Sequence, residues 1–532
     1  MASSYDAIVI GSGHNGLVCG TYLAKAGLKT LVLERREIIG GAAVTEEFSP
    51  GFRASRFSYL MSLLHPRVIR DLELNSFGLE VLPANDLFCP LGGDDYIVFG
   101  DDMAKTQAEF ARFSRHDADI YPQFARYLEE SAQLVRQLLF ETPVDPVRRS
   151  WKSFKSSAAL LWRHRRVGDR AYRMIDLLTQ SAYDYLSAWF EHDVIKTVLA
   201  YYASIGTFAG PKSPGTAYVI MHHLMGEHQG AGGWGFVRGG MGAISASIAA
   251  SGQRFGLTIL TGAPVAEVLV ANGRANGVRT VDGREFHAKV VASNAAAPTL
   301  FRKLVAAKHL PPELLRDIAS YRTFSTAFKM NIAAHEPPRY RAFDAAKLQF
   351  RYPTYVHVAP GIEYLERAYD DAKYGWYSSK PFLTPVVPTI VDDTLAPAGK
   401  HVVNVFGGHA PYTLKGGAAW SDQKGNLTKS ALDVLDEMAP GFSDRIIAIE
   451  TLVAPDLEAI VGLPQGHIFH GELSADQLFW QRPAPHWADY RTPVTGLYQC
   501  GSSTHPGGGV SGIPGHNAAR EILRDWKRIR TG

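Results

Sequence analysis

The chain has 532 residues, enough for two or three domains, and its 46% hydrophobic content can fill large cores. A formal charge of +3 makes no general case for nucleic-acid binding, and no apolar run approaches the roughly 18 residues that a membrane span needs. Cys19, Cys89 and Cys500 stand apart with no CxxC pair, so a dithiol relay lacks its parts; Cys19 and Cys500 read as small buried hydrophobes.

The first predicted strand, Tyr5 to Ile10, is short, apolar and β-branched, and it leaves no room for a signal or transit peptide, which favours the cytoplasm. It ends at Gly11-Ser12-Gly13-His14-Asn15-Gly16, a GxGxxG. A predicted helix over Leu17 to Ala26 is capped by Gly27, and a second buried-strand run, Leu28 to Leu33, delivers Glu34. Strand, glycine turn, helix, strand and acid make a complete dinucleotide-binding βαβ unit. Gly11 permits the tight turn, Gly13 admits the pyrophosphate, Gly16 lets helix and strand pack closely, and the helix N-terminus faces the phosphate charge. Glu34 can accept from both ribose hydroxyls and would repel a 2′-phosphate, so the cofactor is FAD or NAD and not NADP. Past Glu34-Arg35-Arg36 comes Gly40-Gly41-Ala42, a glycine pair placed where the chain passes the rest of a larger cofactor, a contact that FAD needs more than NAD does.

From Leu79 to about Gly230 the pattern turns helical and aromatic and reads as a substrate-side insertion. Within it, Arg148 to Arg173 is a basic stretch with interleaved aromatic and aliphatic residues, either an interfacial helix that touches a membrane or a solvated positive face. Glycine and strand signals resume at Arg238-Gly239-Gly240-Met241-Gly242, followed by strands over Leu257–Leu260 and Val265–Val270, an Asn272-Gly273 hairpin turn, and strands to Ser293-Asn294-Ala295. A second substrate block runs from about Tyr321 to Pro485; inside it Ser325 to Ile332 reads as a strand carrying Lys329. If Lys329 points inward it is a costly buried cation with a functional role; if outward, an edge-strand charge. The end of the chain reads as a strand, Gly496 to Gly501, then a glycine loop from Ser502 to Gly512 and a final helix. That loop at a helix N-terminus suits the pyrimidine edge of a flavin and negative charge on it. His505 lies in the loop and either touches the ring or shapes the turn. Two further GxGxxG matches, Gly230–Gly235 and Gly507–Gly512, lack the strand and acid of a second nucleotide site, so no tight NAD(P)H site is expected and electrons would leave to oxygen, a quinone or another carrier. His222-His223, His467 and His470 lack metal-ligand spacing, and no metal is expected.

These motifs resemble the flavoprotein superfamily of phytoene desaturases and amine oxidases. GHNGLV, IIGGAAVTEEFSPGF, SYLMSLLHP, IFHGELSADQLF and HPGGGVSGIPGHNAA look like the group called pyridine nucleotide-disulfide oxidoreductase domain-containing protein 2, although the chain lacks the disulfide of that name. The resemblance implies an α/β fold: a discontinuous Rossmann-type FAD-binding domain (1–78, 231–320 and 488–532) with an inserted α+β substrate domain (79–230 and 321–487). It implies FAD, contacted by Gly11, Ser12, Gly13, His14, Asn15, Gly16, Glu34, Arg35, Arg36, Gly40, Gly41, Ala42, Val265, Gly501, Gly508, Gly509 and Val510. In the superfamily an Arg follows the glycine pair; Ala42 stands there, so that contact is missing or supplied by Arg35 or Arg36. Lys329 resembles the amine-oxidase lysine that holds a water beside the flavin, and Lys329 and His505 are the catalytic candidates. The reaction implied is desaturation of an apolar or unsaturated small molecule by hydride transfer to flavin N5. Amine oxidation is the alternative within enzymes, and a partner-binding flavoprotein, to which Ala42 points, the alternative outside them. The partner expected is a hydrophobic small-molecule substrate, with no nucleic acid and with oligomeric state left open.

Overall fold

The computed structural model describes residues 4–147, 168, 170–226, 233–344, 348 and 350–531. A seven-stranded mixed sheet is assembled from three separated parts of the chain. Its order is Val265–Ala271, Arg274–Thr280, Glu285–Ser293, Ser4–Ile10, Thr30–Leu33 and Thr258–Leu260. Leu497–Gln499 pairs in parallel with the second half of Glu285–Ser293, beyond the point where the antiparallel hairpin strand leaves it. Ser4–Ile10 is parallel to both neighbours, with Ile8 opposite Leu31 and Val291. Ala7, Ile8 and Val9 are fully buried, as a strand covered on both faces requires. The hairpin turn forms at the predicted pair, with Asn272 and Gly273 both left-handed (φ 51° and 71°).

One face of this sheet carries the helices His14–Lys25, Gly242–Arg254 and Ile513–Thr531. The first and last approach so closely that a Cβ on Gly515 would stand 2.1 Å from the Asn15 carbonyl oxygen. The other face is closed by the core around Leu300, Phe301, Leu314 and Ile318.

A second, four-stranded antiparallel sheet has the order Phe382–Val386, His401–Gly408, Ala327–Ala334 and Ile446–Leu452. Ala327–Ala334 is therefore an inner strand, buried along its whole length. Its even positions, Phe328, Met330, Ile332 and Ala334, pack in the core with Leu427, Val434 and Leu435 of the helix Trp420–Met438. Alternation then sends Lys329 and Asn331 to the opposite face.

Helices dominate the first insertion from Met103 onward, around Phe110, Phe124, Leu186 and Tyr201. The part before them is not helical as predicted: Val81–Pro83, Leu87–Gly92 and Asp95–Phe99 are strands, and Val81–Pro83 pairs with Gly235–Val237. His467 and His470 lie outside any strand, in irregular chain, with His470 at φ 58°. Most of the basic stretch 148–173, and Gly230 to Gly232, lie outside the described residues; Arg173 pairs with Glu130 at 2.8 Å. No helix among the described residues is long and apolar enough to cross a membrane.

Candidate functional site

Ile10 delivers the chain to Gly11, whose φ of 91° suits the tight turn that glycine adopts without strain. A Cβ on Gly16 would lie 2.1 Å from the Gly11 carbonyl oxygen, so the helix starts pressed against the turn. The glycine pair past Glu34 returns to the same place. The Gly40 N–H donates to the Ser12 carbonyl at 3.0 Å, and Gly41 (φ 58°) stands so close that a Cβ there would be 3.2 Å from the Gly13 Cα. The pair is thus a second layer of the cradle, more than a loop turn.

Glu34 closes the cradle. Its Oε2 accepts from the Ser12 N–H (2.9 Å) and Oγ–H (2.7 Å), and its Oε1 from the Arg36 N–H (2.9 Å). These bonds fix a buried carboxylate at the wall of a cavity lined by Gly11, Gly13, His14, Asn15, Arg35, Arg36, Gly41 and Val265. Asn294 and Ser502 complete that wall, and Asn294 lies against Gly11 and Gly13. A second, apolar cavity is lined by Phe57, Tyr59, Phe328, Lys329, Phe406, Gly509 and Val510. Both cavities share His14, Ala42, Leu463, His470 and Ser502, so together they form one elongated slot from Glu34 to Lys329. The shared histidines are held neutral: burial lowers His14 to about 4, against the raising effect of the Gly509 carbonyl it touches, and lowers His470 to about 3.

At the apolar end Lys329 points inward. It is 3% exposed, its Nζ donates to the Ser55 carbonyl and to Asn331 Oδ1 at 3.2 Å each, and it stands 5.0 Å from the centre of the Tyr59 ring. Desolvation brings its pKa down to about 7, with Glu450 pulling the other way. Glu450 reaches it through Asn331, whose Nδ2 donates to Glu450 Oε2 at 2.9 Å. Arg56 Nη2 contacts Glu450 at 2.6 Å and Arg36 Nη2 contacts Glu46 at 2.5 Å, and Arg56 links the two acids, with Nη1 3.4 Å from Glu46. A polar chain thus joins the cradle to Lys329.

Several predicted contacts serve the scaffold and do not line either cavity. Ser12 orients Glu34, Gly16 and Gly40 shape the turn, and Gly501 and Gly508 give room to Asn294 and Phe469. His505 is turned away from the slot. Its Nε2 meets the Leu138 carbonyl at 2.9 Å, and burial lowers its pKa to about 4, so the expectation of a catalytic His505 at the ring gives way to a loop-anchoring role. Arg35 is spent on the carbonyls at the end of the helix Ala454–Val461, those of Ala459 and Ile460. Arg36 keeps a buried Nη1 with no partner and lines the cradle. Of the two arginines beside Ala42, Arg36 is the one with an unpartnered buried donor at the cradle. Cys19 and Cys500, far apart in sequence, are buried neighbours in one core away from the slot, both thiols free. Among the described residues, His116, Asp117 and Glu191 come close enough to suggest a metal, but the Asp117 oxygens already accept the N–H groups of Glu191 and His192.

The residues fit FAD. Glycines admit a pyrophosphate, the carboxylate of Glu34 can take ribose hydroxyls, unpartnered buried atoms (Arg36 Nη1 and Asn15 Oδ1) face the cradle, and the apolar end suits a flat ring.

Comparison with known proteins agrees. The flavin containing amine oxidoreductase profile matches residues 16–523. The chain is 40% identical to "pyridine nucleotide-disulfide oxidoreductase domain-containing protein 2" of Mus musculus, over 99% of this chain and 94% of the mouse protein. It is 25% identical to the lycopene-forming phytoene desaturase of Pseudescherichia vulneris, over 95% of this chain and 96% of that one. A triple mutant of putrescine oxidase, 14% identical, superposes with a TM-score of 0.62 over 99% of both chains and shares the fold.

Proposed function

Because the chain belongs to the flavin containing amine oxidoreductase family and is an FAD-dependent oxidoreductase, we propose that it dehydrogenates an apolar or unsaturated small molecule. The observation that carries this reading is the apolar end of the slot, where Phe57, Tyr59 and Phe406 line the cavity that holds one buried amine. FAD, when bound, supplies the acceptor for the two electrons. The protein's residues do the rest. Glu34 and the Gly11–Gly16 loop hold the dinucleotide, while Gly509 and Val510 border the apolar end. The aromatic walls position the substrate and exclude water, which is most of what carbon–carbon desaturation asks of a protein. Lys329, with a pKa near neutral, can accept the proton that must leave the substrate at Nζ. Likeness to a phytoene desaturase along nearly the whole chain supports the reading.

The inward direction of Lys329 also favours amine oxidation, because aromatic walls and a buried amine suit a neutral amine substrate. Anaerobic bleaching of the flavin absorbance against a panel of polyenes, terpenes and amines separates the two readings. Bleaching by unsaturated hydrocarbons supports desaturation, and bleaching by amines alone overturns it. No bleaching with any compound favours a partner-binding flavoprotein.

A further inference from the structure

His222 and His223 close the helix Ala217–His223, and both are buried, at 3% and 4% exposure. Of the two, His223 lines the apolar end of the slot, in a part of the wall it shares with Ile205, Trp234 and Phe469. Its ring is held from several sides. Nδ1 meets the Val219 carbonyl at 2.8 Å, and the ring plane lies 13° from that of Trp234, with the centres 6.4 Å apart. Tyr202 and Phe469 stand 5.7 and 6.1 Å from it, centre to centre.

The contact with Val219 fixes the proton. A carbonyl only accepts, so Nδ1 carries the hydrogen and the neutral ring keeps its lone pair on Nε2. Burial holds the ring neutral, lowering its pKa to about 4 against the raising effect of the Val219 carbonyl. Among the described residues no group donates to Nε2. His222 does not fill that role: its ring meets His223 edge to face at 5.5 Å, and both of its own nitrogens are buried without a partner. An acceptor of fixed direction thus stands in an apolar wall, where leaving it unpaired costs free energy that a donor on a ligand recovers.

Charge decides which donor fits. No aspartate or glutamate lines the apolar end, and the Lys329 amine is already buried there. An ammonium group would enter without a counter-charge, whereas an uncharged hydroxyl supplies the donor without that penalty. We propose that His223 Nε2 accepts a hydrogen bond from a hydroxyl group of the substrate, which makes the substrate class an apolar, unsaturated alcohol. The hydroxyl is held and not consumed, so His223 is a specificity-determining residue. Lys329 contacts Ser55, Asn331 and Tyr59, none of which touches the His223 ring, so the anchor and the buried amine occupy separate parts of one cavity. The inference rests on the oxidoreductase reading and narrows it.

Binding tests it without turnover. FAD-loaded protein is titrated near neutral pH with n-octanol, with its isomer heptyl methyl ether, which keeps the oxygen and loses the donor, and with octylammonium. Perturbation of the flavin and tryptophan spectra gives each dissociation constant. The wild type should bind the alcohol roughly tenfold more tightly than the ether, and more tightly than the ammonium ion. His223→Phe keeps an aromatic ring beside Trp234 but has no acceptor, so it should bind the two isomers alike and the ether as the wild type does. His222→Phe should keep the preference, because its ring does not line the slot. FAD content and melting temperature confirm that each variant is folded. Equal binding of the isomers by the wild type, tighter binding of octylammonium, a preference that survives in His223→Phe, or an equal loss in His222→Phe overturns the proposal. Failure of the bleaching panel with the preference intact would instead count against the oxidoreductase reading.

Discussion

The two ends of the slot are made of different material. The cradle is mostly backbone: Gly11, Gly13, Gly16, Gly40 and Gly41 press main chain against main chain, and one carboxylate, Glu34, is fixed by two bonds from Ser12 of the glycine turn and one from its neighbour Arg36. The apolar end is mostly side chains, drawn from Phe57 and Tyr59, from Lys329 and from Phe406. The difference teaches where each property of the molecule resides. Affinity for the cofactor is expected of the cradle, whose groups would contact parts of FAD that do not react. The chemistry proposed above belongs to the apolar end, where the buried amine of Lys329 lines the cavity.

The largest expected effect breaks the cradle outright. Gly16→Val puts a branched side chain where even a Cβ lies 2.1 Å from the Gly11 carbonyl oxygen, so the purified variant should carry no FAD. Gly425→Ala, at a helix position with open space around its Cβ, is the matched control and should keep its full flavin absorbance. Glu34→Ala is milder. It removes an acceptor of ribose hydroxyls and leaves the Ser12 and Arg36 N–H groups unpaired, which should weaken FAD binding by about 1–3 kcal/mol. An unchanged dissociation constant, measured by fluorescence titration of the apoprotein, would show that the ribose is held elsewhere.

How much of this division was legible in the sequence follows from the same contrast. Gly11, Gly16 and Glu34 belong to one βαβ unit, so spacing alone carries their geometry. The direction of Lys329 was not legible. Alternation puts Lys329 and Asn331 on the face opposite Phe328, Met330 and Ile332, but whether that face is covered depends on segments remote in sequence: the helix Trp420–Met438 packs on the apolar face, and Ser55 and Tyr59 meet Lys329 on the other. The contacts of Lys329 with Ser55, and through Asn331 with Glu450, join segments remote in sequence and leave no local pattern. His505 misled for a related reason: a glycine loop reveals its turn but not which side of it a ring occupies, and the Leu138 carbonyl that captures it comes from the helical insertion. The strands Leu87–Gly92 and Asp95–Phe99 were hidden by their position beside a long helical stretch.

Smaller effects sharpen the contrast. Lys329 has a folded pKa of about 7 against 10.5 for the free side chain. Between those values the unfolded chain binds more protons than the folded one, so this residue makes stability rise with pH from about 7 upward. Lys329→Met should therefore gain most in melting temperature over the wild type near pH 7, and the gap should shrink toward pH 10. A gap independent of pH would mean that Lys329 is not desolvated. The smallest effect is expected at His505. His505→Asn loses one buried hydrogen bond, about 1 kcal/mol of stability in a denaturant titration, and should leave flavin reoxidation unchanged.

The division itself is tested most directly by stopped-flow reoxidation, with oxygen, of chemically reduced FAD in wild type, Glu34→Ala reconstituted with excess FAD, and Lys329→Met. If the buried amine stabilises negative charge developing at the apolar end, Lys329→Met should bind FAD as tightly as the wild type and reoxidise at least about tenfold more slowly. Glu34→Ala, once saturated, should reoxidise at the wild-type rate. Wild-type reoxidation in Lys329→Met, or slow reoxidation in saturated Glu34→Ala, would contradict the account.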